Sequence, residues 1–257
     1  MSDSKIGECF ISNEGYELVI VEYNNYNDLW IQFQDEHKHK KHTGYGNCKD
    51  GKVKNPYHPS VFNTGYIGVG DYKSRINNKV TKQYKYWQNM LERGYGESFK
   101  KKRPTYKDVY VCEEWHNFQE FAKWFDENYY VIEGETMCLD KDILYKNNKE
   151  YAPDKCIFVP TRINTLFVKS DNIRGDLPIG VSYHKKNNNY NVKCSILTED
   201  GTKINKHLGC YDTPHEAFLV YKEFKEQYIK EIADEYKDRI PQELYDAMYR
   251  WTVEEDD

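Results

Sequence analysis

Apolar and polar positions follow a period of two near both ends of the chain and a helical period in several stretches between and after them. Up to about Tyr72, Glu17–Tyr23 (ELVIVEY), Leu29–Phe33 (LWIQF) and His37–Thr43 read as short strands. Turn clusters at Asn13-Glu14-Gly15 and Asn24-Asn25-Tyr26-Asn27 separate them. Strands this short and closely spaced predict a small β-barrel-like module over residues 1–72, ending in a Gly- and Pro-rich surface connection from Gly51 to Tyr72. In residues 73–170, Tyr84, Trp87 and Leu91 recur at helical spacing within Lys82–Arg93, and Gly94 is placed to stop that helix. A second helix, Asn117–Asn128, turns Phe118, Phe121, Ala122 and Phe125 to one side, with Asn117 and Glu120 at capping-box spacing. Met137–Leu144, a polar stretch, Cys156–Val159 and a short helix near Arg162–Val168 follow.

The clearest pattern lies in residues 171–239. Ile179–His184, Tyr190–Leu197 and Lys203–Leu208 alternate as three strands, separated by Lys185–Asn189 and a Glu199-Asp200-Gly201 turn. Thr213, Pro214 and Glu216 then stand at the N-cap, first and third positions of a helix whose apolar stripe is Ala217, Tyr221, Phe224, Tyr228 and Ile232. Alternation turns Val181, Tyr183, Val192, Cys194 and Ile196 towards that helix, and Ser182, His184, Lys193, Ser195, Lys203, Asn205 and His207 away from it. An acidic tail, residues 240–257, completes an α+β chain.

Composition narrows the class. The chain has 257 residues, 39% of them hydrophobic and 31% charged, and none of its runs reaches the ~18–20 apolar residues of a membrane span. The opening MSDSKIGECF has no apolar signal region, and seven cysteines without a CxxC pair suit a reducing compartment, so a cytoplasmic protein without a membrane partner is expected. The net charge of −5 would argue against nucleic acid, but residues 240–257 carry six acids against Arg250 and account for all of it. Positive charge concentrates between Asp71 and Arg103, where ten basic residues (Lys73, Arg75, Lys79, Lys82, Lys85, Arg93, Lys100, Lys101, Lys102 and Arg103) meet three acids. That segment is either a phosphate-binding face or a solvated lysine-rich surface. The 24 tyrosines suit stacking and interfaces, although an A/T-rich genome would also enrich Tyr, Lys, Asn and Ile. His37, His39 and His42 suggest either a metal site or a polar strand edge; Cys112, Cys138 and Cys156 either a thiol cluster or separate buried thiols. Trp115, Trp124 and Phe118 read as core.

Several motifs carry a resemblance. Gly180-Val181, Tyr190, Leu208-Gly209-Cys210-Tyr211 and Thr213–Tyr221 (TPHEAFLVY) resemble the AP2, integrase-type, DNA-binding domain, in which the exposed sheet face enters the major groove. The family's sheet arginines are absent here, leaving lysines as point charges. Trp87–Arg93, Val111–Trp115, Leu139–Leu144 (LDKDIL), Tyr151–Pro160 and Ile163-Asn164 resemble the HNH endonuclease-like proteins that bacteriophages carry, often beside an AP2 domain. The first 72 residues look like an SH3 or Tudor module. The HNH resemblance implies a ββα centre, with Asp140 as the acidic metal ligand for one Mg²⁺ or Mn²⁺ and Asn147 or Asn148 as the loop asparagine of the catalytic set. Lys141 stands where the catalytic base is expected, and Lys155 where a second metal-side Asn or His is expected. Two expectations follow: a phage-type protein that nicks duplex DNA in an infected bacterial cell, or a catalytically inactive one that binds DNA or a host protein. Arg93, Lys100, Lys101, Lys102, Arg103, His184, Lys193, Lys203 and His207 are the expected DNA contacts.

Overall fold

Short alternating strands, amphipathic helices and their caps make up a mixed α and β chain, seen in a computed structural model that describes residues 5–168, 177–198 and 202–255. Contacts group it into two compact units, Met1–Asn128 with Lys149–Pro153, and Tyr129–Asn148 with Asp154–Asp257. The stretch read above as one central region is thus shared between them.

In the first unit, β1 (Cys9–Ile11), β2 (Glu17–Asn25), β3 (Asp28–Phe33) and β4 (Lys40–Thr43) pair antiparallel in chain order. Their alternation buries Leu18, Ile20, Leu29, Ile31 and Phe33 on one face, closed by Val53 and by Cys48 of α1 (Tyr45–Lys49). The expected barrel is not closed: among the described residues no pairing joins the short edge strands β1 and β4. The strand expected from His37 starts at Lys40 instead, because Lys38 turns the chain at φ +48° and its amide donates to Asp35 Oδ1 at 3.1 Å. The Gly- and Pro-rich connection is more than a surface wrap. Gln119 holds it, accepting from the Tyr72 amide at 3.0 Å and donating to the Ile67 and Tyr72 carbonyls.

A hairpin, β5 (Arg75–Ile76) with β6 (Lys79–Val80), leads into α2 (Lys82–Tyr95), whose N-cap Thr81 accepts from the Tyr84 amide. This helix runs through Gly94 rather than stopping there. A Cβ at that position would come within 3.1 Å of Val111, so glycine lets β7 (Tyr110–Val111) lie close to the helix. After α3 (Glu97–Lys102), α4 (Phe118–Asn128) starts at Asn117, whose Oδ1 accepts from the Gln119 amide at 3.0 Å. Trp115 and Phe118 are fully buried as expected; Trp124 is half-buried, its ring 4.7 Å from that of Trp115. The chain then forms β8 (Met137–Asp140) in the second unit before β9 (Glu150–Tyr151) returns to pair in parallel with β7.

In the second unit, β10 (Ile157–Pro160) pairs antiparallel with β8, and α5 (Thr161–Asn164) follows it directly, so the order is strand, strand, helix. β11 (Val181–His184), β12 (Asn189–Leu197) and β13 (Lys203–Tyr211) form one antiparallel sheet. The turn expected at Glu199-Asp200-Gly201 lies outside the described residues. α6 (Pro214–Tyr236) begins as expected, Thr213 accepting from the Glu216 amide. At 23 residues, α6 is roughly 35 Å long, and it serves two cores. Ala217, Phe218 and Tyr221 cover Val181, Val192 and Cys194 of the sheet. Tyr228, Ile229, Ile232, Ala233 and Tyr236 pack with Ile143, Ile157, Val159 and Ile163 from the β8–β10 region.

The acidic tail is a structural element and not a detached one. Residues 242–250 form α7 (Gln242–Arg250), burying Leu244, Ala247 and Met248 against α6, and Val253 is buried with the sheet core. Within α7, Glu243 is exposed and Asp246 half-buried, on the outer side of an amphipathic pattern. Among the described residues no helix is long and apolar enough to cross a membrane.

Candidate functional site

The loop between β8 and β9 holds the residues for which catalysis was expected. Asp140 ends β8, and its Oδ1 accepts from the amides of Asp142 at 2.7 Å and Ile143 at 2.8 Å. Burial raises its carboxyl above the ordinary carboxylate range, outweighing those two amides. Lys141 is 6% exposed, and its ammonium donates to both Asp142 oxygens at 2.8 and 2.7 Å and to the Asn148 carbonyl at 2.6 Å. Asn148 answers by donating its side-chain amide to the Lys141 carbonyl at 2.8 Å. Asn147 sits at φ +64°, in a left-handed conformation that asparagine tolerates, with its side chain exposed. The structure therefore brings Asp140, Lys141, Asp142 and Asn148 together, and what they form is a closed polar lock.

That donor set does not suit a divalent metal. Asp140 Oδ1 is taken by two backbone donors, and Asp142 is held by a cation. Among the described residues no group of three His, Cys, Asp or Glu side chains is arranged to hold a metal ion. The three N-terminal histidines contact aromatic rings and carboxylates, His37 and His39 both lying against Tyr57. His37 stacks on Tyr57 with ring centroids 3.9 Å apart, His39 lies against Phe33, and His42 Nε2 is 2.7 Å from Asp28 Oδ1. Cys138 meets the Thr161 hydroxyl at 3.4 Å, and none of the seven cysteines is joined in a disulfide.

The sheet behaves differently. Opposite α6, the registered pairs are Ser182 with Asn191, Lys193 with His207, Ser195 with Asn205, and Leu197 with Lys203. Because cross-strand partners share a face, these residues form one surface. Ser182, His184, Lys193, Ser195, Lys203, Asn205 and His207 are all exposed on it, as alternation predicts. None of the three strands contains an acid. Ser195 donates to Asn205 Oδ1 at 2.6 Å, which ties two neighbouring polar groups across the strands.

Two features were not legible. The register shifts at Val192/Lys193, where Leu208 is inserted opposite; this bulge carries β13 on to Tyr211 and brings Cys210 opposite Asn191 on the open face. Tyr183 shares the helix-side face with Val181, as alternation predicts, but it is 45% exposed, with its ring 5.4 Å from Tyr190. Gly180, at φ +76°, is needed where the chain enters β11, since a Cβ there would lie 2.1 Å from the Tyr221 ring.

The basic segment of the first unit divides. Arg93 donates to the Tyr151 hydroxyl at 3.3 Å, and Lys100 donates to the Lys107 and Val109 carbonyls at 3.0 Å, so both serve internal contacts. Lys101, Lys102 and Arg103 are exposed. Compared with protein-family models, curated proteins and solved structures, the chain matches none of them.

Proposed function

We propose that the chain binds double-stranded DNA through the open face of the β11–β13 sheet, and that the loop from Asp140 to Asn148 is a structural lock rather than a hydrolytic centre. The observation that carries this reading is an exposed polar face, on strands that carry no acid, in which Lys193 and Lys203 stand among Ser195, Asn205 and His207. A β-ribbon fits the major groove of B-form DNA, about 12 Å wide. Lys193 and Lys203 would neutralise phosphates as point charges, releasing counterions. Ser182, Asn191, Asn205 and His207 supply both donors and acceptors, the chemistry that base edges present. With no arginine in these strands, bidentate guanine reading is missing, so phosphate contacts dominate and sequence selectivity is low.

Fluorescence anisotropy with a labelled duplex tests the reading. The double variant Lys193→Ala/Lys203→Ala should bind at least about 10-fold more weakly than wild type at moderate salt. Unchanged affinity, or tight binding indifferent to salt, would overturn it and favour a protein partner on the same face. The lock is tested on supercoiled plasmid with Mg²⁺ or Mn²⁺. No nicking is expected, and metal-dependent nicking abolished by Asp140→Ala would restore a hydrolytic role.

A further inference from the structure

The β5–β6 hairpin has no part in the sheet just described. Its turn residues Asn77 and Asn78 both have positive φ, +49° and +62°, as a two-residue type I′ connection requires. Arg75 pairs with Val80 and Ile76 with Lys79, and all residues from 75 to 80 are exposed, Ile76 at 59% and Val80 at 43%. A hairpin with two residues per strand and no buried side chain is marginal by itself. Thr81 holds it at the base. Its hydroxyl donates to the Lys73 carbonyl at 2.8 Å and its amide to the Ser74 carbonyl at 3.0 Å, while the same residue caps α2. The projection is therefore anchored to a helix yet contributes nothing to the core.

Its chemistry is cationic and apolar together. Lys73, Arg75, Lys79, Lys82 and Lys85 lie in or beside the hairpin in sequence, with Asp71 as the one acid from 71 to 85, and Asp126 of α4 reaches the start of α2, accepting from Gln83 Nε2 at 2.8 Å. Among the described residues, none of Lys73, Arg75, Lys79 and Lys85 has a carboxylate within ion-pair distance. Arg75, whose Nη1 donates to the Asn78 carbonyl at 3.2 Å, and Lys79 have no carboxylate partner among the described residues. Beside exposed β-branched side chains they complement a sugar–phosphate backbone, with phosphates for Arg75 and Lys79 and deoxyribose for Ile76 and Val80. We infer that the β5–β6 hairpin is a second duplex-DNA contact, separate from the sheet. This rests on the reading that the partner is duplex DNA.

The test compares salt titrations of duplex affinity for the wild-type chain, Arg75→Ala/Lys79→Ala and Lys193→Ala/Lys203→Ala. If each hairpin cation neutralises one phosphate, the first variant lowers the slope of log affinity against log salt by about 2 and weakens binding at least about 10-fold. Ile76→Ser should weaken binding about 3-fold without changing that slope. Because these side chains are exposed, thermal melting of the variants should match wild type. Loss in the sheet variant with wild-type behaviour in both hairpin variants overturns this inference and leaves the proposed function standing. Loss in the hairpin variants alone supports the hairpin and overturns the sheet. A wild-type chain that binds no duplex overturns both.

Discussion

Lys141 shows how one side chain changes the reading of a site. Its position in LDKDIL suggests a catalytic role, yet its charge is spent on Asp142 and on the Asn148 carbonyl. Lys141→Ala should therefore destabilise the chain by about 2 kcal/mol, within the range for hydrogen bonds to charged groups. Asp142 is 45% exposed, so the cost should fall below that of breaking a fully buried ion pair. Thermal or urea unfolding measures it, and an unchanged midpoint would deny the lock. His116 acts on pH. Burial depresses its pKa below the ordinary 6.5, although the Val111 carbonyl pulls the other way. A depressed histidine favours the fold when neutral. Its contribution is complete above the unfolded value of 6.5 and is lost as pH falls from there through the folded value. The unfolding midpoint should drop on acidification below 6.5, and His116→Gln should flatten that dependence. His39, also depressed by burial, would leave a residual slope.

Among the elements, the C-terminal sheet and helix were legible because, outside the bulge opposite Lys193, each follows one period. Lys193, Ser195, Lys203, Asn205 and His207 face outward as their parity demands, and Thr213 caps as its spacing demands. What escaped the sequence depends on tertiary neighbours. Gly94 reads locally as a stop, but it is the face of α2 on which Val111 rests. The bulge opposite Lys193 leaves no local mark beyond Leu208-Gly209. Residues 240–257 looked like a tail because six acids stand there against Arg250 alone, while Leu244, Ala247 and Met248 sit three and four apart. Leu244 is fully buried, so Leu244→Ala should cost about 2–5 kcal/mol of stability. An exposed-tail effect near zero would contradict the packing of α7 on α6.

On the scale of the whole molecule, the two units are interleaved in sequence, since Lys149–Pro153 returns to the first after β8 has entered the second. In the second unit, α6 joins the core of the β8–β10 pair to that of the three-stranded sheet, so the lock and the open face are parts of one body. The hydrogen bonds that tie Lys141 to Asn148 could not be anticipated, because the two residues meet only through the folded loop. The central claim concerns a face, and a face can be mapped. Lys193 and Lys203 lie on the open side, whereas Lys206 pairs with Cys194 on the helix side, its ammonium 4.7 Å from the Phe224 ring. Acetylation of the three lysines should be quantified by mass spectrometry with and without saturating duplex DNA. Protection of Lys193 and Lys203 with Lys206 unchanged is the expected result; equal reactivity of all three with duplex present, or protection of Lys206 alone, would contradict the account.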